Sequence, residues 1–402
     1  MVKNQYLDIE SYSLEELKEE LYKASLLEKM PQKSGGDLIP HKDKKINENK
    51  YLQTVIDIHF DEDYGSPYWQ EKMKELDFDP REEIKKYEDL KKLPEAEKEA
   101  LKHKSVREFI PKLFSRNGNI DPEYFDLSKS SGTKGTKKLM PWSKNISEDM
   151  GEWYNYNLEL NNQEGGDWLA CGPYGLYEKH LEKAGNKRGG LVYFNGIETK
   201  ELKERTKYLK KISENPLKIL NPKTAIKVFQ GISHLNPTMK SIKDDIASQN
   251  FSNIASAPVA VHKIYDMLKE DFSKTSPEEI DTILISGTGI TKESIEEIEE
   301  KYRNANIIPM YATSLTGPAF DHPDTDEILY YPPSPQVKFE VVEKEKDFNQ
   351  AEKADYEERG RVVIHRVGED FFWPNQTERE SAIRIEPNKP FEVDGISKIR
   401  PY

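Results

Sequence analysis

The stretch SKSSGTKGTKK, Ser128–Lys138, concentrates groups that can hold a phosphate chain. Gly132 and Gly135 let the backbone approach a ligand closely and take positive φ. Ser130, Ser131, Thr133 and Thr136 offer hydroxyls beside the main-chain amides. Lys134, Lys137 and Lys138 add positive charge. Triphosphate oxygens accept from all three kinds of donor. The spacing is not G-x-x-x-x-G-K-[ST], so this is no Walker loop. Composition alone fits a flexible basic linker equally well.

Other chemistries are narrower. The 402 residues contain one cysteine, Cys171, which excludes an intramolecular disulfide and a cysteine-based zinc site. Cys171 reads as a buried, inert thiol, with a nucleophile as the alternative. Eight histidines are scattered without an H-x-x-x-H pair, so no metal ligands are assigned. The net charge of −13 disfavours a nucleic-acid partner and makes one basic loop conspicuous. No apolar signal core opens the chain, and no apolar run reaches membrane-spanning length. The expectation is a cytoplasmic protein without membrane contact.

The elements that must carry the loop follow from periodicity. Ser13 and Glu16 form a capping-box pattern before Leu14, Leu17 and Leu21, which predicts an N-terminal helix. Residues 31–50 are polar, with Gly-Gly and two prolines, and read as a loop. From Tyr51 to about Arg116 the period is helical. Beyond the loop, DTILISG predicts a buried strand. Thr291 then caps a helix bearing Ile295, Ile298 and Tyr302, and NIIPMY predicts another strand. Alternation of strand, loop and helix implies a layered α/β domain. From Asp326 onward β patterns dominate. Val337, Phe339 and Val341 share one face in QVKFEVV, and GRVVIHRV and SAIRIEP predict two further strands. The charged run EKEKDFNQAEKADYEERG reads as a solvated loop.

With these elements in place, SSGTKGTKK resembles the phosphate loop of the adenylate-forming enzymes, [ST]-S-G-[ST]-T-G-x-P-K. Lys134 stands where threonine is usual, and Lys137 where proline is usual. Further motifs follow in the same order. His59–Leu101 resembles the N-terminal segment of phenylacetate–CoA ligases, with S-P-[FY]-[YW] before a helix and a -DL-x-x-LP- phrase. ISGTGITKESIEEIEEKY resembles the strand, turn and helix that line the adenine pocket. IIPMYATSLTGPAF resembles the Y-G-x-[ST]-E motif, and GRVVIHRVGEDFFWPNQTERESAIRI resembles the strand pair leading to the ribose aspartate. VDGISKIRPY resembles the hinge before a C-terminal lid. The resemblance spans about His59 to Tyr402 and is nearest to phenylacetate–CoA ligases.

The resemblance implies an α/β fold, the large N-terminal domain of adenylate-forming enzymes. It comprises layered α/β subdomains and a β-rich subdomain at about 311–402. Residues 1–55 would be a helical extension, residues 56–402 the large domain, and the lid absent. It implies ATP-dependent activation of a small carboxylic acid to an acyl- or aryl-adenylate with release of pyrophosphate. Transfer to CoA or another thiol would follow. Ser130, Ser131, Gly132, Thr133, Lys134, Gly135, Thr136 and Lys138 would hold the β- and γ-phosphates. Gly287, Thr288 and Gly289 would line the adenine, and Tyr311 would stack on or flank it. Ala312 and Thr313 would lead to Ser314 at the α-phosphate, so that Lys138 and Ser314 serve the chemical step. Glu380 would take the place of the ribose-binding aspartate. The aromatic segment Trp168–His180 would adjoin the acyl group, with plain core as the alternative for Trp168, Tyr174 and Tyr177. A separate lid-domain or acyl-acceptor protein is the implied partner. Transfer to a protein or amine, or nucleotide binding without catalysis, are the competing readings.

A further departure sets this chain apart. The motif's Mg²⁺-binding glutamate is replaced by Leu315, and leucine cannot ligate a hard cation. The expected Mg²⁺ site is therefore weakened or atypical, and Lys134 and Lys137 would supply charge in its stead. On this expectation, Lys134→Thr makes ATP–pyrophosphate exchange more dependent on Mg²⁺. Ordinary Mg²⁺ dependence unaffected by the substitution refutes the compensation.

Overall fold

The computed structural model describes residues 47–116, 119–120, 124–129, 138–196, 238–287, 290–343, 348 and 351–402. The expected helix at Ser13–Leu21, loop residues Ser130–Lys137, and Thr288 and Gly289 lie outside the described residues.

The described chain begins with α1 (Glu48–His59), whose Asn47 side chain accepts from Lys50 N. Its first turn thus falls inside the stretch expected to be loop, and the expected domain boundary at 55/56 lies within this helix. Short helices α2 (Pro67–Met73), α3 (Pro80–Glu83) and α4 (Ala100–His103) follow, with 3₁₀ turns between them. Prolines at N1 start α2 and α3, and Pro94 prevents a continuous helix across Tyr87–His103. Next come β1 (Ser115–Arg116), β2 (Asn119–Ile120), β3 (Phe125–Lys129) and β4 (Leu139–Ser143). Strands β1 and β2 pair, and β3 and β4 form a second antiparallel pair.

The Ser143 hydroxyl caps α5 (Lys144–Leu160) at Ile146 N. There follow β5 (Trp168–Gly172), α6 (Leu176–Lys187), β6 (Val192–Gly196), β7 (Asn253–Ser256), α7 (Pro258–Leu268), β8 (Thr282–Ser286) and α8 (Lys292–Lys301). Thr291 caps α8 as expected. The chain ends in β9 (Asn306–Thr313), β10 (Gly317–Asp321), β11 (Leu329–Tyr331), β12 (Val337–Val342), β13 (Arg359–Val367), β14 (Phe372–Ile385) and β15 (Gly395–Pro401). The segment read as the strand SAIRIEP is only the end of the long β14. Its pairing with β13 continues through two register shifts, which bend the strand without breaking it.

Eleven strands form one sheet in the order β12-β13-β14-β15-β11-β10-β9-β8-β7-β5-β6. From β6 to β9 the neighbours are parallel, and from β9 to β12 they are antiparallel. The interior parallel strands β5, β7 and β8 are buried on both faces because helices cover both. Trp168, Ala170, Ala255 and Leu284 point to the core under α5 and α6, whereas Leu169, Cys171, Ile254 and Ile283 point to that under α7 and α8. The third core joins α1 and α2 to the antiparallel strands through Leu52, Phe60, Trp69, Ile364 and Phe372. Buried polar groups fix its register. Tyr51 Oη donates to Val367 O at 2.9 Å and Trp69 Nε1 to Phe372 O at 2.9 Å. His59 Nε2 lies 2.9 Å from Gly368 O, and burial lowers its pKa to about 3, so it is neutral. No helix among the described residues is long and apolar enough to cross a membrane.

Asp321 closes the β10–β11 connection by accepting from Leu329 N at 2.6 Å and His322 N at 2.9 Å. Burial pushes its pKa up to about 7 against those bonds. The folded state then holds a proton that the unfolded chain has lost, so stability falls as pH rises towards that value. Asparagine keeps the accepting oxygen without the charge. Asp321→Asn should therefore raise Tm by about 2–4 °C at about pH 8 and by less at about pH 5, read by thermal denaturation.

Candidate active site

Open α/β sheets bind ligands outside the carboxyl ends of their strands. Here those ends are Gly172, Gly196, Ser256, Ser286 and Thr313. Each passes into a turn or helix that the local sequence dictates. Gly287, directly after β8, has φ +103°, which only glycine adopts readily. Pro258 starts α7 at N1 after Ser256. A Cβ on Gly196 would overlap the Tyr174 ring at 1.8 Å, so any other residue there would displace that exposed side chain.

The link from β9 to β10 is a three-residue turn, Ser314–Thr316. Thr313 Oγ1 accepts from Leu315 N at 3.2 Å and Thr316 N at 3.1 Å, and Thr316 Oγ1 donates to Gly317 O at 2.7 Å. Gly317 takes φ +65°, and a Cβ there would meet Trp142 and Met150 at 3.3 and 3.2 Å. The threonines and the glycine are therefore the turn's own scaffold. Ala312 is exposed and Ser314 half-buried beside it. Leu315 is 4% exposed and belongs to the core that also holds Met140, Ala319 and Phe339.

Tyr311 packs against this core, with its ring 6.0 Å from Tyr330 and 6.1 Å from Phe339. Burial raises its pKa, and Glu378 and Glu380 raise it further, which places both carboxylates of β14 within electrostatic reach. Glu380 is half-buried. Burial and Glu378 raise its pKa. Lys138, at the start of β4, is half-buried too. Burial lowers its pKa first, Lys98 lowers it further, and Glu378 opposes them. The fold thus brings Lys138, Tyr311 and Glu380 to one region from three distant parts of the chain. Gly287 stands at the end of β8, the strand next to β9 along the same edge.

Lys98 was not singled out from the sequence. It lies in a charged run that reads as solvent-facing, and only the docking of that run on β14 reveals its place. Its ammonium donates to Thr377 O. The expected hinge, Val393–Tyr402, is largely strand β15, bonded between β14 and β11.

The aromatic segment divides. Trp168 is fully buried core, whereas Tyr174 is 67% exposed at the mouth. Tyr177 lies between them in the first turn of α6, against Gly172. Its hydroxyl is buried near Ser286 and Cys171 and makes no hydrogen bond of normal length. Cys171 is buried and its thiol is pushed up to about 12 by desolvation, which fits an inert core residue.

At the position of the motif's Mg²⁺-binding glutamate the described chain offers no side-chain oxygen ligand. Leu315 faces the core, and no group of three or more His, Cys, Asp or Glu side chains among them could hold a metal ion. A surface cavity of about 590 Å³ beside Asp167, Ser252 and Thr275 opens at the amino ends of β5 and β7, away from these residues.

No protein-family model matches the sequence, and no curated protein matches it. Solved structures do share the fold. An open conformation of 2-hydroxyisobutyryl-CoA ligase in complex with 2-HIB-AMP and CoA matches 91% of this chain and 79% of its own, with TM-score 0.59 and 13% identity. The same ligase in the thioesterification state matches 91% of this chain and 70% of its own, with TM-score 0.60 and 14% identity. The fold is that of the adenylate-forming enzymes.

The burial of Leu315 makes a direct prediction. Leu315→Glu should not create a metal site; it should destabilise the fold by about 2–5 kcal/mol at neutral pH. The buried carboxyl would have a raised pKa, so the deficit should shrink from about pH 8 to about pH 5 in urea unfolding. A variant of unchanged stability that gains Mg²⁺ affinity would contradict this.

Proposed function

We propose that the protein activates a carboxylic acid with ATP, forming an acyl-adenylate and pyrophosphate. The observation that carries this reading is the convergence of Lys138, Tyr311 and Glu380 at one place on an adenylate-forming fold. The solved relatives, crystallised with an acyl-AMP and CoA, support it at the level of fold.

In this reaction a carboxylate oxygen of the acid bonds to the α-phosphorus. The bond from that phosphorus to the β-bridging oxygen breaks, and pyrophosphate leaves with the electron pair. Little covalent work falls to the protein, which positions the partners and offsets charge. Lys138 and the loop before it hold the β- and γ-phosphates. Ser314 is placed for the α-phosphate, the Tyr311 ring for the adenine, and the Glu380 carboxylate accepts from the ribose hydroxyls. Gly287, with Thr288 and Gly289, borders the base. Tyr174 and Tyr177 border the acyl end. CoA is the acceptor we favour, in a cytoplasmic setting, with a small carboxylic acid as the other substrate.

The test is ATP–pyrophosphate exchange across aryl, fatty and hydroxy acids. At least one acid should support exchange, and Lys138→Met should reduce it by about tenfold or more. ATP binding without exchange for every acid would favour a nucleotide-binding protein lacking catalysis.

A further inference from the structure

The residues assigned above to the phosphates lie between β3 and β4 in the chain. These strands pair from Lys129↔Leu139 at the loop end to Phe125↔Ser143 at the base. Among the described residues they form a sheet of two strands, apart from the eleven-stranded one. A lone two-stranded hairpin is marginally stable in water, so its placing depends on what its base docks against. Lys138 is four residues from Trp142, about 13 Å along the strand, so a tilt of about 5° at the base moves it by about 1 Å. A misplacement of about 1 Å can cost about a hundredfold in rate.

The base docks on the turn between β13 and β14. Ser143 N donates to Asp370 Oδ2, and Asp370 Oδ1 lies 3.5 Å from Arg366 Nη2. Both charged side chains are fully buried. The Arg366 guanidinium covers the Trp142 ring, 4.4 Å from its centroid. A Cβ on Gly368 would stand 2.5 Å from Asp370 Oδ1 and 3.4 Å from Arg366 Cζ, so glycine leaves room for the pair. Helix α1 holds the same turn from Tyr51 and His59, through Val367 O and Gly368 O. Trp142 also packs beside Gly317, which follows the Ser314–Thr316 turn directly. One buried indole thus joins the strand that leaves the phosphate loop to the turn that carries Ser314. Desolvation offsets most of the attraction in a buried ion pair, so stability alone does not account for this one. Its geometry supplies direction instead, with Arg366 fixed over the ring and Asp370 fixed on the amide.

We propose that Trp142, Arg366 and Asp370 are positioning residues that anchor the β3–β4 hairpin at its base and so set where the phosphate loop stands relative to Ser314. The consequence for the reaction rests on the nucleotide reading given above, whereas the anchor itself is tested without any ligand.

Two double variants of the full chain remove both charges, so neither leaves a buried ion unpaired. Arg366→Met with Asp370→Asn keeps an acceptor for Ser143 N, and Arg366→Met with Asp370→Leu removes it. Trp142→Leu removes the ring. Amide hydrogen exchange is read without ligand over residues 138–143, residues 314–320 and β8. The Asp370→Leu double variant and Trp142→Leu should speed it about tenfold or more in the first two segments and leave β8 unchanged. The Asp370→Asn double variant should stay within about threefold of wild type. In ATP–pyrophosphate exchange, with an acid that supports it in wild type, the two disruptive variants should lose about tenfold or more in kcat. Adenosine affinity, measured by calorimetry, should stay within about twofold. Unchanged hydrogen exchange in either segment or unchanged kcat in the Asp370→Leu double variant overturns the proposal, as does an Asp370→Asn double variant equally impaired. Equal losses of kcat and adenosine affinity with faster hydrogen exchange in β8 also overturn it, since they mark a general loosening of the fold. The expected local loosening in a protein that supports pyrophosphate exchange with no acid would uphold the anchor while refuting the nucleotide reading.

Discussion

Strand β9 has a parallel neighbour on one edge and an antiparallel one on the other, and the rest of the sheet depends on that. Its Asn306–Met310 segment pairs in parallel with β8, and its Met310–Thr313 segment pairs antiparallel with β10. A parallel neighbour requires a long crossover, whereas an antiparallel one can follow after a tight turn. The change of rule at Met310 fuses a helix-covered parallel sheet with an antiparallel one. The residues just past that change, Tyr311–Ser314, end up at the seam, within reach of groups from both halves.

The seam explains the placing of the other groups. Strand β14 lies three strands from β10 across the sheet, yet its length and register shifts carry Glu378 and Glu380 back towards Tyr311. The N-terminal segment packs on the same strand through Trp69, Asn375 and their neighbours, which delivers Lys98. Buried hydrogen bonds matter more here than surface ion pairs such as Lys102–Glu99 or Lys104–Glu71. An exposed pair contributes roughly 0–1 kcal/mol, while an unmet buried amide costs about 1–3 kcal/mol.

Leu315 shows how one position can serve packing instead of metal chemistry. On a turn fixed by its own threonines, the side chain at 315 points into the apolar core, so a carboxylate there would be desolvated.

Much of this was legible in the sequence for local reasons. The buried strands of the parallel half, the capped helix α8 and the alternation of β12 follow from periods of two and 3.6 residues, which need no tertiary information. The order of short motifs likewise pointed to the fold that the solved structures share. Other features were decided only by long-range packing. The proline-punctuated residues 87–103 became 3₁₀ turns and a short helix because β14 holds them by backbone bonds. The final stretch became an interior strand because β11 and β14 were both there to pair with it. Lys98 carries no local signal at all. A lysine in a charged run is solvated until another element removes water from one side of it, and that element is 279 residues away in the chain.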